Sequence, residues 1–193
     1  MVFTHFRQNG MPQFDPHRRT LLASAAGLAL SPILKQNFRA RQTQIGPGFV
    51  LAPGEGERFV HFRDGGNIVI KIGSATGSPD LAVGIQQVLK GTGIPVHRHE
   101  RMDEAFSVLD GGGSVLLNDV RYPFEKGCTI FIPRSTWHGF ENPDHELLLQ
   151  WTVSPSGLDD FFRETCSAPG AAPKGLTKDQ IRKIARKHDT EFR

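Results

Sequence analysis

The stretch GIPVHRHERMDEAFSVLDG, residues 93–111, places two histidines and four acidic groups in one short span. His97 and His99 are two positions apart, so on an extended strand both side chains project to the same face and Arg98 projects to the other. Two imidazoles on one face of a strand are a suitable beginning for a transition-metal site. The alternative is a charged turn that faces water.

A third ligand has to come from beyond the turn that follows His99. Glu104, Phe106 and Val108 share one face of the next apolar run, so Glu104 meets the histidines if that face is the interior. Glu100 would face away from the two imidazoles. Spacing alone leaves Asp103 as a rival of Glu104, because the geometry of the turn is unknown.

A fourth candidate is His138 in GCTIFIPRSTWHGFEN, residues 127–142, where it follows a predicted strand and a short turn. Three neutral imidazoles and one carboxylate suit Fe, Mn, Ni or Cu, with Zn as a further candidate, and do not suit Mg or Ca. The sequence therefore predicts one transition-metal ion as cofactor.

The rest of the chain favours an all-β fold. Among its 193 residues are 21 glycines and 13 prolines, and from residue 46 onward short alternating apolar runs are separated by glycine-containing turns. The predicted strands are GFVLA (48–52), ERFVHF (57–62), NIVIKIG (67–73), LAVGIQQVLKG (81–91), EAFSVLDG (104–111), SVLLND (114–119), CTIFIP (128–133) and ELLLQWTV (146–153). Their spacing predicts a small antiparallel barrel or jelly roll.

Residues 156–193 are predicted to form a helical extension. GLDDFFRET (157–165) has the pattern of a short helix, and a second helix is expected from Thr177, with Gln180 at capping-box spacing. The second helix carries a basic face, which we expect to be solvated because its apolar stripe is too narrow for firm membrane insertion. That face consists of Lys178, Arg182, Lys183, Arg186 and Lys187.

The positive charge of the chain is concentrated at its N-terminus. The formal net charge is +3, but residues 1–45 hold six Arg or Lys against one acid, so the remainder has a net charge of −2. The body of the protein therefore lacks the basic footprint that binding to nucleic acid requires.

Residues 1–45 are interpreted as an export signal and a disordered N-terminus. Arg18 and Arg19 precede the weakly apolar run LLASAAGLALSPIL, which resembles a twin-arginine signal. The run is too short for a permanent transmembrane helix. We therefore expect a periplasmic or secreted protein, or a cytoplasmic one if this segment is only a basic tail; the start (Met1 or Met11) and the cleavage site stay open.

Two spacings give the chain a family resemblance. Residues 91–111 read G-x5-H-x-H-x4-E-x6-G and residues 127–142 read G-x5-P-x4-H-x3-N, with 15 residues between them. Together these resemble the two motifs of the cupin superfamily, which implies a jelly-roll β-barrel over about residues 46–155. By position, the resemblance implies metal ligation by His97, His99, Glu104 and His138, and favours Glu104 over Asp103.

Two positions depart from the family pattern. Ser135 stands where the family usually has glycine, and if that turn needs a positive φ a serine costs on the order of 1 kcal/mol. Cys128 stands where relatives often have aspartate. Whether Cys128 and Cys166 form a disulfide is not determined by the sequence.

The resemblance implies a metal-dependent enzyme, most like a dioxygenase of the quercetin type, in which Glu104 also accepts a proton from substrate. Because the same fold supports other functions, two alternatives stay open. One is a non-redox isomerase or lyase, and the other is a cupin that binds a ligand without turnover. Members of the superfamily often associate, so a homodimer is expected.

The substrate is expected to be a small apolar or aromatic hydroxylated compound. Alternation places Phe106 and Phe140 beside the ligands. Phe131 is a third pocket candidate, and its facing, like that of Gln87 and Trp151, is undetermined. No arginine or lysine is placed inside by alternation, which argues against a small dianion; Arg134 is expected at the pocket mouth.

Overall fold

The computed structural model describes residues 47–193. The predicted export signal therefore lies outside the described residues. In the described part, no helix has the length and apolar character needed to cross a membrane. Cys128 and Cys166 are both free thiols.

The domain consists of two antiparallel sheets. This confirms the predicted all-β jelly-roll fold. The first sheet has the order β1-β2-β3-β10-β5-β8 and the second the order β11-β4-β9-β6-β7. The strands are β1 (Glu57–Val60), β2 (Asn67–Ile72), β3 (Ala82–Val88), β4 (Ile94–Arg98), β5 (Asp103–Asp110), β6 (Gly112–Leu117), β7 (Val120–Glu125), β8 (Thr129–Ile132), β9 (His138–Glu141), β10 (Leu147–Ser154) and β11 (Glu191–Phe192).

Strict alternation in the central strands explains the core. In β10, Leu147, Leu149, Trp151 and Val153 are buried while the residues between them are more exposed. Strand β10 pairs with both β3 and β5, so its inward face lies in the middle of the first sheet. Phe106 of this sheet meets Phe140 of the other edge-to-face, with ring centroids 4.9 Å apart.

The predicted helical extension is present as α1 (Leu158–Thr165) and α2 (Lys178–Lys187). Helix α2 begins with the expected capping box, in which Thr177 and Gln180 each accept a hydrogen bond from the other's backbone N–H. After α2 the chain returns as β11, which pairs with β4 through Glu191 opposite Arg98 and Phe192 opposite His97. The C-terminus is thereby brought beside the strand that carries the first predicted ligand.

Two local predictions were wrong. Residues 48–52 form no strand. The strand predicted over residues 114–119 begins earlier, at Gly112, so Gly112 and Gly113 belong to β6. Only Gly111 lies between β5 and β6; its φ is +83°, and a Cβ there would approach the carbonyl oxygen of Glu146 to 2.1 Å, so no other residue fits.

Candidate metal centre

Four buried side chains, one from the first sheet and three from or next to the second, converge between the sheets. Because β4 pairs with β9 at His97 and His138, these two imidazoles lie side by side, with ring centroids 4.1 Å apart. His99 follows β4 directly, and Glu104 reaches across from β5. One ligand atom from each of the four residues lies within 4.8 Å of all the others.

Backbone carbonyls set the tautomer of each histidine. The Nδ1 atoms of His97, His99 and His138 lie 2.8, 3.0 and 2.9 Å from the carbonyl oxygens of Pro95, Asp189 and Thr136 respectively. A carbonyl only accepts hydrogen bonds, so each Nδ1 carries the hydrogen and the lone pair of each neutral ring is on Nε2. Metal-binding histidines are oriented in this way.

Three polar atoms at the centre have no hydrogen bond although they are fully buried. They are Nε2 of His99, Nε2 of His138 and Oε2 of Glu104. The two nitrogens lie 3.5 and 3.1 Å from that oxygen, close enough for electrostatic contact but without hydrogen-bond geometry. Buried polar atoms without partners are costly, and a cation shared by all of them removes that cost. The residues therefore fit a single metal ion.

The charge state of the site also suits a metal. Burial would raise the pKa of Glu104, but the facing imidazoles of His138 and His99 outweigh burial and hold that pKa well below its usual value. Burial, with the neighbouring His138 and His99, lowers the pKa of His97 well below its usual value. At neutral pH the site thus offers an ionised carboxylate and, at His97, an unprotonated imidazole, which are the forms that bind metal. Burial lowers the pKa of His99, but its contacts with Glu104 and Asp189 outweigh burial and raise that pKa, so metal binding at His99 competes with a proton.

The structure separates the two rival carboxylates. Glu104 is 2% exposed and faces the histidines, whereas Asp103 lies on the outer side of β5. The side chain of Arg134 donates two hydrogen bonds to Asp103, at 3.0 and 2.7 Å, and lowers the pKa of Asp103 to about 2. Asp103 and Arg134 therefore pair with each other outside the centre, and Arg134 is not at the mouth of the pocket.

The turn before His138 is strained at Ser135, the position where the family usually has glycine. Ser135 has φ +64°, the left-handed conformation that glycine adopts more easily. Its backbone N–H donates to the carbonyl oxygen of His99 at 2.6 Å, and its hydroxyl donates to Glu100 at 2.9 Å. These bonds connect the loops that carry two of the ligands.

The C-terminal segment supports the centre in a way that the sequence did not indicate. Asp189 accepts the Nδ1–H of His99 on its carbonyl, and its carboxylate accepts hydrogen bonds from the backbone N–H groups of Arg101 and Met102, at 2.8 and 3.1 Å. The turn between β4 and β5 is thus held by a residue far away in the chain. No local pattern could have predicted this, because the contact exists only after β11 pairs with β4.

A cavity of about 370 Å³ opens onto the centre, with His97 and Glu104 in its wall. Phe106 lines it, as predicted, while Phe140 is buried behind Phe106 and is not among the lining residues. Phe131 is 61% exposed and faces away, because Ile130 and Ile132 take the inward positions of β8; this corrects its assignment to the pocket.

Two polar residues of the cavity were missed. Gln86 is 5% exposed and lines the cavity, whereas Gln87 bonds to Asn67 on the other face of β3. In the structure every second residue of β3 from Ala82 is buried, which includes Gln86, but no signal for this was visible in the sequence, because Val83 and Ile85 lie on the face of Gln87. His61 also lines the cavity; it is buried, and burial together with the adjacent Arg63 lowers its pKa to about 3.

The cavity wall contains arginine and lysine side chains, contrary to the expectation from the sequence. Alternation in the strands placed no arginine or lysine inside, yet the wall includes such residues from the segment after β1 and from the C-terminal extension. They lie outside the strands to which the alternation argument applied. They are Arg63, Lys178, Arg182 and Arg193.

Comparison with known proteins agrees with this fold. The family model for the cupin domain matches residues 84–154, a range that contains all four candidate ligands. Uncharacterized protein MJ1618 of Methanocaldococcus jannaschii is 33% identical over 70 residues, which are 33% of this chain and 56% of that protein. The chain thus spans about half the length of this curated relative.

Two solved structures show the same fold. KdgF from Halomonas sp. is similar with a TM-score of 0.50 and 23% identity, over 59% of this chain and 99% of that chain. An RmlC-like cupin from Shewanella frigidimarina NCIMB 400 has a TM-score of 0.50 and 22% identity, over 58% of this chain and 96% of that chain. With the jelly-roll topology, the His₃Glu set in both motifs and the family match, these likenesses support placing residues 84–154 in the cupin superfamily.

Proposed function

We propose that the protein is a metal-dependent oxidoreductase of the dioxygenase type, acting on a small apolar or aromatic hydroxylated compound. The observation that carries the proposal is a buried His₃Glu set beside a cavity of about 370 Å³, in which half of the lining residues are apolar and five of these are phenylalanines. That volume lies within the range of small-molecule sites. When bound, a redox-active metal held by these residues supplies activation of dioxygen and polarisation of a substrate hydroxyl.

The residues of the chain have distinct tasks in this proposal. Three imidazoles with Nδ1 fixed on backbone carbonyls keep their Nε2 lone pairs aimed at one point, so the site needs no rearrangement to bind a cation. Phe106 and the aromatic residues of α1 give the cavity an apolar surface for the body of a substrate.

Glu104 is the residue that we expect to move a proton. Its carboxylate lies in the cavity wall and is ionised, so the oxygen that does not bind the metal can accept the proton of a substrate hydroxyl bound in the cavity. A hydroxyl placed within about 3 Å of that oxygen satisfies the geometric requirement of a general base.

Metal content is the first test. Protein purified from its native compartment should hold about one Fe, Mn, Ni or Cu ion per chain by elemental analysis. The variant His99→Ala should lose it, and the control His145→Ala, which removes an exposed histidine, should retain it. Zinc alone in the native protein would argue against dioxygenase chemistry, because zinc has no redox activity.

Oxygen uptake is the second test. The protein should consume oxygen with at least one member of a panel of phenolic and enediol compounds, and His99→Ala should not. Uptake equal to that of His99→Ala across the panel would refute the oxidoreductase proposal. Conversion of substrate without oxygen uptake would instead point to an isomerase or lyase, and binding without conversion to a ligand-binding protein.

A further inference from the structure

The cavity carries an excess of positive charge at its mouth. Two of its cations, Lys178 and Arg182, lie one helical turn apart on α2, and both side chains are exposed. Like charges at this spacing repel each other and weaken a helix. Within residues 47–193, neither side chain forms an ion pair, although on the same helix Lys187 pairs with Glu164. Asp179 is the one acidic residue of α2, and it forms no ion pair with either cation.

Two further cations approach the same cavity from other segments. Arg63 pairs with Asp64 through one guanidinium nitrogen at 3.3 Å, but its Nε is buried without a hydrogen-bond partner. Arg193 lies with its guanidinium 5.9 Å from the ring centroid of Trp137. Glu104 is the sole acidic residue among the lining side chains, and it belongs to the metal centre.

Part of the cavity wall is apolar. Phe161 and Phe162 of α1 line it together with Ile94, Phe106 and Phe192. A ligand that covers this part of the wall must have an apolar body. To pair with Lys178 and Arg182 as well, it must carry a negative charge at one end. A neutral apolar compound would leave the cations without a counterion, and a small dianion would leave the apolar wall uncovered.

We propose that the substrate of this site is an amphiphilic anion, a small apolar or aromatic molecule with a carboxylate or phosphate group that Lys178 and Arg182 bind at the cavity mouth. The inference rests on the proposed function in that the cavity is taken as the substrate site. It assigns to the basic face of α2 a role in substrate selection, in place of the purely solvated role expected from the sequence.

The test compares three probes of similar shape and different charge: benzoate, phenyl phosphate and the neutral benzamide. Binding to the purified full-length holoprotein is measured by isothermal titration calorimetry at low ionic strength. The variant Lys178→Gln/Arg182→Gln is compared with Lys183→Gln/Arg186→Gln, which removes the same charge from exposed positions of the same helix that do not line the cavity. Thermal melting verifies that both variants are folded.

We expect at least one anionic probe to bind more tightly than benzamide and to lose about tenfold in affinity in the first variant, since two exposed ion pairs contribute about this much. The control variant should change affinity by less than about twofold. Preference between benzoate and phenyl phosphate identifies the anionic group. Added salt should weaken anion binding and leave benzamide unaffected.

Equal binding of anionic and neutral probes, or equal losses in the two variants, would overturn the proposal. Affinity that survives Lys178→Gln/Arg182→Gln but disappears in His138→Ala would also overturn it, because the anion would then be bound by the metal. Charge-dependent binding without oxygen uptake would refute the proposed reaction and leave the anion site intact, so the two failures are distinguishable.

Discussion

His61 should make the protein sensitive to mild acid. The ring is 4% exposed and stacks on Phe62 with centroids 4.5 Å apart, and its Nδ1 accepts a hydrogen bond from the backbone N–H of Arg63 at 3.0 Å. Protonation would place a second positive charge in a buried position beside the Arg63 guanidinium. Burial and that guanidinium, in this order, lower the pKa of His61 from 6.5 to about 3.

The direction of the effect follows from the two protonation equilibria. Below pH 6.5 the unfolded chain binds a proton at this histidine, but the folded protein does so only near pH 3. The contribution of the neutral His61 ring to the free energy of unfolding is therefore fully present above pH 6.5, and it is lost as the pH falls towards 3. Between pH 7 and pH 5, these pKa values correspond to a loss of about 2 kcal/mol in the free energy of unfolding.

The assay is urea denaturation of the wild type and of His61→Asn at about pH 7 and about pH 5. Asparagine keeps an acceptor near the backbone N–H of Arg63 but does not titrate. The wild type should lose about 2 kcal/mol more than the variant, while histidines of the metal centre contribute equally to both proteins and cancel. His145→Asn serves as the exposed control and should behave as the wild type does. Equal acid sensitivity of wild type and His61→Asn would refute the reasoning.

Three other predictions follow from the same structure. Ser135→Gly should raise the free energy of unfolding by about 1 kcal/mol in thermal or urea unfolding, because glycine adopts φ +64° without strain; a lower stability would show that the serine hydroxyl outweighs the strain. Glu104→Gln should reduce metal affinity at least about tenfold in competition with a chelator, whereas Asp103→Asn should retain it, and equal loss in both would contradict the assignment of the ligand. Replacement of Arg18 and Arg19 by lysines should abolish export of the full chain in cell fractionation, and unchanged export would refute the twin-arginine interpretation.

Local rules predicted the candidate site to a considerable extent. The two-residue period of a strand places His97 and His99 together, and both are buried with their rings 5.1 Å apart. The same period left the facing of Phe131 open, since it depends on which side of β8 is covered by the other sheet. Gln86 shows the same limit, because Val83 and Ile85 of β3 share a face with Gln87, yet the structure buries the opposite face, which carries Gln86.

The choice between Asp103 and Glu104 marks the limit of spacing. Adjacent residues of a strand always face opposite ways, but parity does not say which face is the interior. The pairing of β5 with β8 and β10 decides it, by placing Glu104 opposite Ile132 and Val153 on the buried side. The resemblance to the cupin motifs also indicated Glu104, because Glu104 stands at the position of a metal ligand in that family.

By itself, then, the sequence determined the β-barrel class and the residue types of a metal centre, because both depend on short-range periodicity and spacing. Only the tertiary structure decided what surrounds the centre. The support of His99 by Asp189, the approach of Lys178 and Arg182 to the cavity mouth and the burial of His61 all join segments distant in the chain. Such contacts leave no periodic trace, because they arise only when the C-terminal extension packs against the barrel, with β11 paired to β4 and Phe162 of α1 against His61.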